Sequence, residues 1–185
     1  MPRRRHIFDS PDRFVPGTVG APGSRTFFLQ AREGARVVSV SLEKVQVAAL
    51  SQRLLELLEE LERRGVADAA EIEGEVGDTA ALDEPLNEAF RAGTLTLGWD
   101  TADEVVVLEA RELTDEEKEA DEEADEEDEE GPDTFRVRFA PGEARRFVAR
   151  ALRVLAAGRP PCPLCGQPLD PQGHLCPRRN GHLLN

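Results

Sequence analysis

The clearest period along the chain is helical. From Glu43 onward Val47, Leu50, Leu54, Leu57, Leu58 and Leu61 recur at steps of three and four through good helix formers. The run closes on Arg63-Arg64-Gly65, a basic last turn followed by a glycine suited to cap it. A leucine stripe of this kind packs on the protein's own sheet. Just upstream, Phe27 to Arg32 is a short apolar run, Glu33-Gly34-Ala35 supplies a tight turn, and Arg36 to Leu42 alternates with β-branched residues, which together predict a hairpin. Leu95, Leu97 and Trp99 alternate with Thr94, Thr96 and Gly98, and after Asp100-Thr-Ala-Asp103 the run from Glu104 to Arg111 is the expected hairpin partner. Phe135, Val137 and Phe139 alternate with Thr134, Arg136 and Arg138, a fifth strand with one apolar and one basic face. Pro141 then suits the first turn of a second helix, with Ala144, Phe147, Val148, Ala151 and Leu155 on one side, arginines on the other, and Gly158 at its end.

The remaining stretches carry no such period. Residues 1–24 mix Gly and Pro with Arg and Asp and read as an irregular N-terminal arm; residues 66–83 read as a loop with some helical character, and Glu84 to Arg91 as a short helix. The order of elements describes an α+β domain over residues 1–158: a largely antiparallel five-stranded sheet with two main covering helices, followed by a C-terminal zinc-knuckle tail over residues 159–185.

Charge divides the chain unevenly. The formal net charge is −14, yet residues 115–130 alone hold thirteen acids and one lysine, and residues 133–185 are basic. The acidic stretch and the Gly131-Pro132 that closes it (residues 115–132) read as a disordered, solvated insert, kept open by like-charge repulsion. It lacks the alternating oxygen ligands and turn glycine of a calcium loop. No apolar run approaches the ~18 residues that would span a bilayer, and Met1-Pro-Arg-Arg-Arg-His has no apolar stretch behind it, so no secretory signal is read there. A cytoplasmic protein with no membrane association is the expectation.

All three cysteines, and two of the three histidines, fall in the tail: Cys162-Pro-Leu-Cys165-Gly166, then His174-Leu-Cys176 and His182. Cys-x-x-Cys places two thiolates on one tight turn, and Cys176 is the third donor of a tetrahedral site. The fourth is His174 or His182. A redox pair is the rival, but this Cys-x-x-Cys follows Pro160-Pro161 and not a strand leading into a helix. Soft thiolates with imidazole favour Zn2+, and four protein donors make the site structural, since a catalytic zinc keeps one position open. The tail is too short and too polar to bury a core, so a metal would hold it.

Other signals are weaker. Gly17-Thr-Val-Gly20-Ala-Pro-Gly23 has glycines like those of a phosphate-cradling loop, but a strand follows it where a helix is required. Arg145, Arg146, Arg150 and Arg153, with Arg159, Arg178 and Arg179, form an expected basic surface beside the tail. Nucleic-acid binding there is opposed by the surrounding acids and by the absence of tyrosine for stacking. No catalytic constellation stands out, so an enzyme is the lesser reading. The leading one is a binding or adaptor module for a protein partner. The alternative is an enzyme or ligand-binding protein for a small anionic, phosphorylated metabolite held by Arg13, Arg25 and Lys44.

The stretch from Phe8 to Arg32 (Phe-Asp-Ser-Pro-Asp-Arg-Phe-Val-Pro-Gly-Thr-Val-Gly-Ala-Pro-Gly-Ser-Arg-Thr-Phe-Phe-Leu-Gln-Ala-Arg), with Gly158-Arg-Pro-Pro-Cys-Pro-Leu-Cys-Gly and Gly173-His-Leu-Cys-Pro-Arg, resembles the uncharacterised, mainly actinobacterial family labelled domain of unknown function 3090. The resemblance covers nearly the whole chain, with the acidic insert as its variable part. It implies no activity. Its Gly-His-x-Cys-Pro element implies His174 over His182 as the fourth ligand, and it implies a bacterial cytosolic protein.

Overall fold

A computed structural model describes residues 3–66, 78–114, 131–158, 162–165, 169 and 176. Its elements in chain order are β1 (Arg5–Phe8), β2 (Arg13–Val19), β3 (Thr26–Glu33), β4 (Arg36–Leu42), α1 (Lys44–Arg64), β5 (Glu88–Asp100), β6 (Val105–Glu112), β7 (Thr134–Phe139) and α2 (Pro141–Ala156). The seven strands are hydrogen-bonded in the order β1-β7-β6-β5-β4-β3-β2. The β1–β7 and β4–β5 pairs are parallel and the other pairs antiparallel.

The predicted hairpins and the two main helices are present. Glu33 pairs with Arg36 across a turn in which Gly34 takes a φ of 57°, open to glycine and costly for a residue with a Cβ. Leu97 lies opposite Leu108 and Trp99 opposite Val106. Helix α1 ends as its sequence requires: Gly65 is left-handed at φ 64°, its N–H donates to the Glu62 carbonyl, and the Val66 N–H donates to that of Leu61. Its start is tied down by Gln46, whose Oε1 accepts from the Glu43 N–H at 2.7 Å and whose Nε2 donates to the Gly93 carbonyl at 2.7 Å.

Expectations for the arm, the strand count and the short helix are corrected. The sheet has seven strands and not five, because residues 5–8 and 13–19 of the expected irregular arm are β1 and β2. These are the terminal strands of the hydrogen-bond order, where a strand has one ladder to make. Proline is tolerated at such a position, and Pro16 sits within β2 opposite Leu29. Gly17 is required by packing: a Cβ there would fall 2.5 Å from Leu82 Cδ2. The short helix expected over Glu84 to Arg91 is not formed; residues 84–87 are loop and β5 begins at Glu88. Tertiary pairing overrides local propensity there, since Glu88 and Arg91 are opposite Ser39 and Ser41 of β4. The acidic run over residues 115–130 lies outside the described residues.

The sheet is curled so that β2, at one end, comes against β7, next to the other end. The long β5 is shared: its first residues pair with β4, its later ones with β6, and the register shifts between Ala92 and Leu95. Phe14 on β2 packs against Phe139 and Phe135 of β7 at 5.0 and 6.3 Å between ring centroids, and stacks on Phe147 of α2 at 4.9 Å. Arg36 on β4 reaches across to the Ile7 carbonyl of β1 at 2.9 Å and lies over the Phe8 ring. Helix α1 packs against α2, and the stripe of Val47, Leu50, Leu54, Leu58 and Leu61 is buried. On the other face of β2 to β4, residues 78–83 form a strap over Gly17, Gln30 and Ser39.

Burial separates the cost of two leucine truncations. Leu54 is fully buried and half of Leu152 is exposed. Leu54→Ala is expected to cost about 2–5 kcal/mol in urea unfolding, whereas Leu152→Ala stays within about 0.5 kcal/mol.

Candidate metal centre and cationic cavity

Cys162 and Cys165 sit on one turn, and Cys176 returns beside them. The three Sγ atoms lie within 4.8 Å of one another, with Cys162 and Cys176 buried and 4.0 Å apart. Two thiolates on one tetrahedral zinc at about 2.3 Å would sit roughly 3.8 Å apart, so the spacing fits shared coordination. The backbone N–H groups of Cys165 and Leu164 point at Cys162 Sγ and hold its thiol below the ordinary value, with Cys165 and Cys176 as further partners. Amides aimed at sulfur stabilise the thiolate, which is the form that binds metal. The three cysteines can hold a metal ion. His174 and His182 lie outside the described residues.

The three cationic residues predicted to hold an anion divide between two places. Arg13, on the strap face of β2, donates from Nε to Asp78 at 2.5 Å and from Nη1 to Asp83 Oδ2 at 2.9 Å, with Nη2 reaching the carbonyls of Ala81 and Ala80. Its charge is consumed by the strap. Arg25 and Lys44 come together, lining a cavity of about 380 Å³ with Gly23, Phe27, Leu155 and Gly158. Arg25 Nη1 donates to the Val154 carbonyl in the last turn of α2 at 3.2 Å, and its guanidinium lies 5.4 Å from the Phe27 ring centre. An adjoining groove of about 340 Å³ shares Arg25, Phe27 and Lys44 and adds Ser41, Glu88 and Arg91. There Arg91 pairs with Glu43, and the Ser41 hydroxyl donates to Glu88 at 2.6 Å.

The arginine surface expected on α2 takes a different form. Arg150 is buried at 7% exposure. Its Nε donates to the Pro16 carbonyl at 2.7 Å, its Nη1 to the Asp78 carbonyl and carboxylate at 2.6 and 3.0 Å, and its Nη2 to the Ala80 carbonyl at 2.7 Å. Burial pushes Arg150 below its ordinary value against the pull of Asp78. Arg145 pairs with Glu62 of α1, and Arg153 reaches the Asp78 carbonyl. Sequence reasoning missed this hub, although its signal was present: position 150 falls between Phe147 and Ala151 on the flank of the apolar stripe, and a helical wheel places it at the buried edge. Nothing in the sequence pointed to Asp78, Asp83 or Gln30. Gln30 is buried in mid-strand and clamps Asp83 by both backbone groups, accepting from its N–H at 2.7 Å and donating to its carbonyl at 3.0 Å.

With this geometry in view, similarity to known proteins adds one result. A family model described as a protein of unknown function (DUF3090) matches residues 6–176. The chain belongs to this family. The match runs from β1 to Cys176 and so takes in the sheet, both helices and all three cysteines. No curated protein and no solved structure matches the chain. No helix among the described residues is long and apolar enough to cross a membrane.

The hub carries two expectations. Arg150→Met leaves the Pro16 carbonyl without its donor and takes one donor each from the Asp78 carboxylate and the carbonyls of Asp78 and Ala80, and is expected to cost about 3 kcal/mol. Arg53→Met, at an exposed i,i+3 pair, stays within about 0.5 kcal/mol. The second concerns pH. Asp78 is held below the ordinary carboxyl range, first by the hydrogen bond from Arg13 and then by the Ala80 N–H, against a desolvation cost. A depressed folded-state value stabilises the protein above the unfolded carboxyl value of about 3.9, and that contribution is lost as pH falls through the folded value. Urea midpoints of wild type and Asp78→Asn should therefore differ most near neutral pH and converge from about pH 4 downward.

Proposed function

We propose that the chain is a cytoplasmic binding or adaptor module whose C-terminal tail is folded by a structural zinc ion. The observation that carries this reading is the convergence of three sulfur atoms within 4.8 Å on a tail with few apolar residues. Cys162, Cys165 and Cys176 would supply thiolates and His174 the fourth donor, with His182 as the alternative. Such a donor set is soft, suits zinc, and leaves no coordination position for a substrate. Bound there, zinc would neutralise the thiolates and fix a surface; its role is to shape the tail. A protein is the partner this reading favours. Nucleic acid fits less well, since Arg145 is paired with Glu62 and Arg150 is buried in a chain of net charge −14.

Purified protein is expected to contain about one zinc per chain by mass spectrometry of the metal, with its melting temperature lowered by chelation. Cys162→Ser and Cys176→Ser should each lose most of that zinc. His174→Ala should release it far more readily than His182→Ala. Less than about half an equivalent, with stability unchanged in both cysteine variants, would sink the structural-zinc reading.

A further inference from the structure

The cavity between the β2–β3 turn, the start of α1 and the end of α2 has a composition that its structural duties do not use up. Arg25 spends one of its N–H donors on the Val154 carbonyl and keeps the others. Lys44 has no ion pair or hydrogen bond among the described residues. Its location is unfavourable for the helix it opens, because a cation in the first turn opposes the positive end of the dipole. The choice of lysine is also unusual here: outside the acidic run it is the single lysine of a chain that otherwise uses arginine. Several cations elsewhere are matched by acids, Arg13 by Asp78 and Asp83, Arg91 by Glu43, Arg138 by Asp100 and Asp103, and Arg145 by Glu62. Two unmatched cations from different elements thus face one cavity of about 380 Å³, within the usual range for a small ligand.

The remaining walls describe the other half of the ligand. Phe27 and Leu155 are apolar, and Gly23 and Gly158 complete the lining without side chains. We infer that this cavity binds a small organic phosphate, its dianionic phosphoryl group between Arg25 and Lys44 and its apolar or aromatic body against Phe27 and Leu155. Two cations favour a dianion over a carboxylate, and a guanidinium offers the planar fork that phosphate oxygens accept. The acids of the adjoining groove, Glu43 and Glu88, do not line this cavity; Glu43 is held by Arg91, and Glu88 accepts from Ser41. None of these wall residues is a sulfur ligand, so the cavity and the metal centre are separate sites.

The test uses full-length, metal-replete protein with phenyl phosphate, inorganic phosphate and benzoate as probes, followed by calorimetry and by amide shifts. Phenyl phosphate is expected to bind saturably and to weaken as salt is raised, with inorganic phosphate competing more weakly and benzoate weakest. Lys44→Gln, an exposed change that does not lower the melting temperature, should weaken phenyl phosphate at least about tenfold, and Lys44→Arg should restore most of the loss. Arg25→Gln should do the same, while Arg53→Gln, at an exposed pair on α1 that lines neither cavity nor groove, changes binding less than about twofold. No saturable binding of phenyl phosphate, or binding indifferent to Lys44→Gln, overturns the proposal; benzoate binding as tightly as phenyl phosphate overturns the dianion assignment. Zinc content measured on the same samples keeps a failed ligand site distinct from a failed metal site.

Discussion

The placement of α2 against the closing seam of the sheet is the constraint on which the other features rest. Phe147 stacks on Phe14 of β2, and Phe14 in turn packs on Phe135 and Phe139 of β7. Strands from opposite ends of the hydrogen-bond order and one helix thus share a single aromatic cluster. Such rings bury large area and prefer offset or tilted contact, so the cluster sets how far the sheet can open. Once Phe147 is fixed, the helical repeat fixes the later residues of α2. Arg150, one turn on, passes the edge of β2 and reaches the strap; Leu155, Ala156 and Gly158 form a wall of the cationic cavity; Cys162 comes four residues after Gly158.

Arg150 turns that placement into specificity. A guanidinium that is almost wholly buried is tolerable only if its donors are satisfied, and here three carbonyls and one carboxylate satisfy them. The carbonyl of Pro16 belongs to a strand with a neighbour on one side only, so the bond from Arg150 also covers an unpaired edge group. Arg13 engages the same strap from β2 through Asp78 and Asp83, and Gln30 clamps it from β3. Residues 78–83 have no regular secondary structure, yet they are held by side chains from three elements. The strap costs the protein backbone order, and the polar contacts beneath it offset that cost.

Much of the fold was legible because it rests on local rules. The α1 stripe, the Gly34 turn, the Gly65 cap and the alternation of β6 and β7 are each written within a few residues, and each is present. What escaped was written non-locally. Pro16 and Gly17 look like loop residues until β2 is known to lie at an edge and Leu82 to press on Gly17. The first residues of β5 look helical until they pair with β4. At the site level, the three cysteines were readable from spacing alone, because metal coordination demands particular residue types close together. Arg13, Arg25 and Lys44 were readable only as charges. Which of them would be neutralised depended on Asp78 and Asp83, and no periodicity announces a partner that arrives from 65 residues away.

The relation between the cavity and the tail is set by chain length. Cys162 is the fourth residue after Gly158, and an extended chain covers at most about 3.6 Å per residue, so the first sulfur ligand lies within roughly 14 Å of the cavity wall along the chain. A tail ordered by metal would therefore begin beside the cavity mouth and would limit how the end of α2 can fray, while a tail without metal leaves that last turn to Arg25 and the Ala157 cap. Coupling of this kind needs no contact between metal and ligand. It requires only that both bias the same element, the C-terminal turn of α2, toward one arrangement, and the energetic link is then the same in either direction.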